Sequence, residues 1–149
     1  MTSIREGGCL CGSLRYVAPG EPRRVTACHC KFCQKRSAAA FSVHAWFDED
    51  DSAFSGESLS VYEQCSDETG NWLRVHFCSK CGTTLMLTGE KMTGIRLVTV
   101  GSMDEPDAIE VSAHVWARSA PHWLPMPENV PCYETSSGAG LLRKPDVKQ

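Results

Sequence analysis

The chain has 149 residues, 42% hydrophobic and 22% charged, with a formal net charge of −3. That is the composition of a globular domain with room for a core, which excludes a disordered chain, and its acidic balance argues against a nucleic-acid or anionic-membrane surface. The N-terminal residues hold no apolar run able to act as a signal peptide, and no segment reaches the roughly 18 uninterrupted apolar residues of a membrane helix. A soluble, cytoplasmic protein is expected, with no membrane or nucleic-acid partner.

In chain order, Gly7-Gly8-Cys9-Leu10-Cys11-Gly12 reads as a turn that brings backbone close to a bound ion. The alternating tail Ser13–Val17 reads as a strand that ends at Pro19, Gly20 and Pro22. Arg23–Ala27 is expected to be a short strand delivering the chain into Cys28-His29-Cys30-Lys31-Phe32-Cys33. The run Gln34–Ala40 has good helix formers and no Gly or Pro, which predicts one or two helical turns whose N-terminal N–H groups face the thiols.

Strand signals dominate from there. Phe41–Phe47 is apolar and aromatic, and Asp48–Asp51 is an acidic turn. Leu59–Tyr62 is a further strand, and Trp72–Phe77 alternates, with Leu73, Val75 and Phe77 on one face and Trp72, Arg74 and His76 on the other. Cys78-Ser79-Lys80-Cys81-Gly82 between that strand and Thr83–Leu87 has the hairpin form of a zinc knuckle. Ile95–Val100 and Ile109–Trp116 are expected strands, separated by the turn Gly101–Pro106. Pro121, Pro125, Pro127 and Pro131 exclude a long helix near the C-terminus. The expectation is a mainly β single domain over residues 4–125 with one short helix after the cysteine triplet. An irregular extension over 126–149 follows, its tail frayed from Ser136.

The nine cysteines carry the chemistry. Their number is odd, and seven stand in tight groups: Cys9/Cys11, Cys28/Cys30/Cys33 and Cys78/Cys81. Thiolates at such spacing in a reducing compartment point to zinc rather than to a disulfide framework. Spacing alone permits more than one grouping. The economical one joins Cys9 and Cys11 to Cys78 and Cys81 in a closed four-thiolate structural site. Cys28, Cys30 and Cys33 then hold a second zinc with an open fourth position, suited to binding a thiol as thiolate or to polarising a carbonyl.

His29 is tempting as the missing ligand, but a residue between two ligating cysteines tends to point away from the metal. Cys65 and Cys132 read as buried structural thiols. His44, His76, His114 and His122 lack a partner at motif spacing. The tryptophans read as core or rim aromatics, with Trp116 and Trp123 able to line a pocket.

Four segments in this order resemble the glutathione-dependent formaldehyde-activating enzyme family, also called the centromere-protein-V/Gfa domain. They are Gly7–Gly12, Cys28–Cys33, Phe77–Gly82 and His114-Val115-Trp116-Ala117-Arg118-Ser119. The turn Gly101–Pro106 fits as well. The resemblance spans roughly residues 4–125.

It implies a β-tent of antiparallel sheets, the same division of zinc sites, and a carbon–sulfur lyase that condenses formaldehyde with glutathione to S-hydroxymethylglutathione. Cys28, Cys30 and Cys33 are then the catalytic residues, and Lys31 and Arg118 could pair with glutathione carboxylates. Members often carry glycine where this chain has Ala38, whose methyl group restricts φ. A glutathione carrier without a catalytic step, or a zinc-ribbon interaction module, are the other readings considered.

Overall fold

The computed structural model describes residues 3–67, 69–136 and 141–143, the last as backbone. It is mainly β, as expected, with one α-helix among the described residues. The chain groups into two compact units, one built from residues up to Arg23 with Ala45–Ile109, the other from Arg24–His44 with Glu110 onward. No helix among the described residues is long and apolar enough to cross a membrane.

In the first unit, β1 (Ile4–Gly8), β2 (Arg15–Pro19) and β5 (Ala53–Ser55) form an antiparallel sheet in the order β1-β2-β5. The alternation read in β2 is real: Tyr16 and Ala18 are buried while Arg15, Val17 and Pro19 face out. Gly7 lies opposite Tyr16, and a Cβ there would collide with the Tyr16 hydroxyl and the Ser102 carbonyl, so only glycine permits this approach. The Tyr16 hydroxyl bonds Ser102 Oγ at 2.9 Å, and burial pushes its pKa up to about 12.

The same unit contains an antiparallel run of β6 (Leu59–Cys65), β7 (Trp72–Cys78), β8 (Thr84–Gly89) and β9 (Ile95–Thr99). Leu85, Met86, Leu87, Leu97 and Val98 are buried there.

In the second unit, β3 (Arg24–Cys28) pairs in parallel with β10 (Ala113–Val115), and β10 with β11 (Cys132–Tyr133). β12 (Leu141–Arg143) is antiparallel to β11. β4 (Ser42–Asp48) runs through the point at which the units divide.

The strand expected over Ile109–Trp116 is shorter, because Pro106–Ala108 forms a 3-10 turn and the Ser112 hydroxyl bonds the Val25 backbone on both N–H and C=O. At its far end Trp116 takes φ 57, which breaks the extended backbone. Within the proline-rich segment, the backbone settles into β11. The fraying expected from Ser136 falls mostly on residues outside those described.

The helix α1 spans Lys31–Ser37, three residues earlier than composition alone suggests. The Cys30 side chain caps it by accepting from the Cys33 N–H, which draws the third cysteine into the first turn. Its other end closes on Ala38 at φ 53 and ψ 34, with Ala39 N–H bonded to Gln34 O at 3.3 Å.

An L-residue in that left-handed conformation costs about 1 kcal/mol relative to glycine. Ala38→Gly is therefore expected to stabilise the protein by about 0.5–1 kcal/mol, seen as a higher urea midpoint with an unchanged slope. A lower midpoint would mean that the cap is not as described.

Candidate functional site

The first group of sulfurs is built from two turns of the first unit. Between β1 and β2, the Cys9 carbonyl accepts from Gly12 N–H at 3.0 Å, and Gly12 has φ 81. After β7, the Cys78 carbonyl accepts from Gly82 N–H at 2.8 Å, and Gly82 has φ 78. Each turn needs a left-handed residue just past its second cysteine, and glycine supplies it in both.

The sulfurs of Cys9, Cys11, Cys78 and Cys81 all lie within 4.8 Å of one another. Cys9 and Cys11 are 3.5 Å apart, and Cys11 and Cys78 are 3.8 Å apart. Four sulfurs around a tetrahedral zinc at about 2.3 Å stand about 3.8 Å from each other, so this donor set fits that ion.

Hydroxyls surround it. Ser13 Oγ lies 3.4 Å and Ser58 Oγ 3.3 Å from Cys78 Sγ, and Thr83 Oγ1 lies 3.3 Å from Cys81 Sγ. Donation from Ser13 and Ser58 draws the Cys78 thiol down to about 5, and Thr83 draws Cys81 to about 7. The Leu14 N–H adds a 3.2 Å bond to Cys9 Sγ.

The second group lies in the second unit. Cys28 ends β3, Cys30 caps α1 and Cys33 sits in its first turn. The three sulfurs lie within 4.8 Å of one another. Cys28 and Cys33 form a buried cluster with Val115, against which Phe32, Trp116 and Tyr133 pack.

The parallel register of β3 and β10 sets Cys28 beside Val115 and so brings Trp116 next to the thiols. Gln34 Nε2 fastens the arrangement by donating to His29 O at 2.7 Å and Ser119 O at 2.9 Å.

Packed this closely and out of water, the three thiols resist ionising together. Hydrogen bonds from Cys28 and Cys33, with the Cys33 and Phe32 backbone N–H groups, hold Cys30 down to about 3. Cys28 is pushed well up by its bonds to Cys30 and Cys33 and by burial. Cys33 is eased down by Cys28, but its bond to Cys30, burial and the neighbouring charge outweigh this and push it up to about 12. A second and third thiolate therefore require a cation, and a thiophilic divalent ion such as zinc meets the need. The group could hold one with three ligands.

His29 is not among those ligands. Its ring is 0% exposed and turns to His114, with Nε2 2.9 Å from His114 Nδ1, and it packs on Phe41 with ring centroids 5.1 Å apart. Burial, with the His114 charge, lowers His29 to about 4, so it is neutral near pH 7.

Lys31 is exposed on the first turn of α1, and Arg118 lies with Cζ 5.3 Å from the Trp116 ring centroid. Cys132 is buried as expected, whereas Cys65, expected to be buried, is exposed at the end of β6; both lie apart from the two groups. Sequence reasoning missed the Ser13 and Ser58 hydroxyls, the Gln34 bridge, the His29–His114 pair and Tyr133. Only Ser13 left a signal, standing two residues past Cys11.

A family model described as "Glutathione-dependent formaldehyde-activating enzyme" matches residues 4–119. A Halomonas elongata protein provisionally named for that same activity is 30% identical over 85 residues, which cover 55% of this chain and 54% of the relative. The chain thus matches about half the length of that curated relative. The crystal structure of a Rhodobacter sphaeroides protein aligns with a TM-score of 0.52 at 22% identity, over 71% of this chain and 96% of that one. At that identity the likeness concerns the fold alone.

Under reducing conditions the chain is expected to bind about two zinc ions, with one surviving mild chelation. Cys78→Ser should remove the resistant ion and lower the melting temperature, as followed by atomic emission and thermal denaturation. Equal lability of both ions would contradict the division into closed and open groups.

Proposed function

The chain belongs to the glutathione-dependent formaldehyde-activating enzyme family, and from that premise we propose that it is a zinc-dependent carbon–sulfur lyase joining a thiol to a small aldehyde. The thiol is glutathione and the aldehyde formaldehyde. The new bond runs from sulfur to the carbonyl carbon, the carbonyl π pair moves onto oxygen, and the proton lost by the thiol ends there. The product is the S-hydroxymethyl adduct, and the reverse reaction breaks the same bond.

The observation that supports this reading is the contrast between the two sulfur groups. Four sulfurs can close a coordination sphere, whereas Cys28, Cys30 and Cys33 stop one short, with no fourth protein ligand among the described residues. Zinc held there would supply a Lewis-acid position for an incoming sulfur or carbonyl oxygen.

Phe32, Trp116 and Tyr133 keep the surroundings of the thiols apolar, which strengthens any charge interaction at the centre. Lys31 and Arg118 pair with the carboxylates of glutathione in this reading. A cytoplasmic setting belongs to it too, since nine free thiols suit a reducing compartment.

A carrier that only concentrates glutathione is the second reading, because thiols add to formaldehyde unaided in water. Exchange NMR of the hemithioacetal at fixed free glutathione separates the two: the enzyme accelerates exchange, and a carrier does not exceed the free-thiol rate. Cys30→Ser is expected to lower the protein-dependent rate by at least about a hundredfold while the four-cysteine zinc remains. Unchanged turnover, or loss of both ions, would overturn the assignment.

A further inference from the structure

One turn beyond Cys33, α1 carries a cation that neither the motif nor the proposed reaction uses. Arg36 follows Cys33 by three residues, so both side chains leave the helix on one face. Its Nη2 donates to Ser42 Oγ at 2.6 Å and lies 3.3 Å from His44 Nε2. Ser42 Oγ and His44 Nε2 are 3.0 Å apart, which closes a triangle. His44 is 1% exposed, and burial, together with the Arg36 charge, lowers it to about 3, so it is a neutral prop.

Arg36 Nε is buried and finds no hydrogen-bond partner among the described residues. No carboxylate there lies within ion-pair distance of Arg36 either.

A guanidinium held this firmly, partly out of water and without a carboxylate, is costly unless negative charge lies nearby. The sulfurs supply it: Arg36 stands one helical turn past Cys33 on the same face, and the Cys33 sulfur lies within 4.8 Å of those of Cys28 and Cys30. Three thiolates and a divalent ion carry one net negative charge, and a thiolate from the substrate raises this to two. His29 and His44 are neutral, while Lys31, Lys35 and Arg118 are exposed and their charges screened.

We propose that Arg36, braced by Ser42 and His44, is the positioning residue that offsets the charge of the three-cysteine centre and so lets it accept an anionic substrate sulfur. The proposal rests on reading that centre as a metal site open to a thiol.

The test compares glutathione with S-methylglutathione, whose sulfur is capped, by calorimetric titration of the zinc-loaded full chain. The unaltered protein should prefer glutathione. Arg36→Met should weaken glutathione binding about tenfold or more and leave S-methylglutathione binding unchanged, while Arg36→Lys recovers most of the loss. Zinc content should stay at about two ions per chain.

Equal weakening for both ligands, or no weakening, overturns the role of Arg36. Absence of any preference in the unaltered protein overturns instead the open-site reading. Should Arg36→Met fail to fold, Ser42→Ala takes its place, with a smaller loss in the same thiol-selective direction expected. No selective loss then counts against the proposal.

Discussion

Repulsion between neighbouring thiolates is the constraint on which this structure turns. Seven cysteine sulfurs stand in two groups, each within 4.8 Å. At that separation, out of bulk water, they cannot all ionise without a cation. The backbone nonetheless delivers them there with care. β3 and β7 each end on a cysteine, two glycine turns fold back the four-sulfur group, and Cys30 caps the helix that carries Cys33. So much local geometry spent on like charges makes sense only if something positive completes it.

The two groups meet the constraint differently. Around Cys9, Cys11, Cys78 and Cys81 the protein places serine and threonine hydroxyls, dipoles that support thiolates. Around Cys28, Cys30 and Cys33 it places aromatic rings, histidines kept neutral and one anchored guanidinium. The first environment suits permanence. The second is apolar and keeps one braced guanidinium a helical turn away.

Much of this was legible in the residues. Cysteines two and three positions apart, each set beside glycine, can only be turn thiols, and β2 and β7 announce themselves by alternation. The helix begins three residues ahead of its composition signal because its cap is a cysteine, which ordinary capping preferences do not anticipate. β11 is hidden for another reason: two residues that follow Pro131 carry no periodicity, and only pairing with β10 and β12 makes them a strand. The Ser58–Cys78 contact and the Arg36–Ser42–His44 triangle depend on residues far apart or unremarkable in type. No spacing rule reports such contacts.

The parallel pairing of β3 with β10 has a consequence for how the protein is made. Cys28 leaves the ribosome early, but its neighbour Val115, the Trp116 turn and Tyr133 follow only when most of the chain has been translated. At about 5–20 residues per second, the three thiols therefore spend several seconds on a nascent chain before their walls exist. The four-sulfur turns, complete once Cys81 has emerged, can close first. The three-cysteine centre is thus finished last, and during synthesis its cysteines depend on the surrounding reductant for protection rather than on the fold.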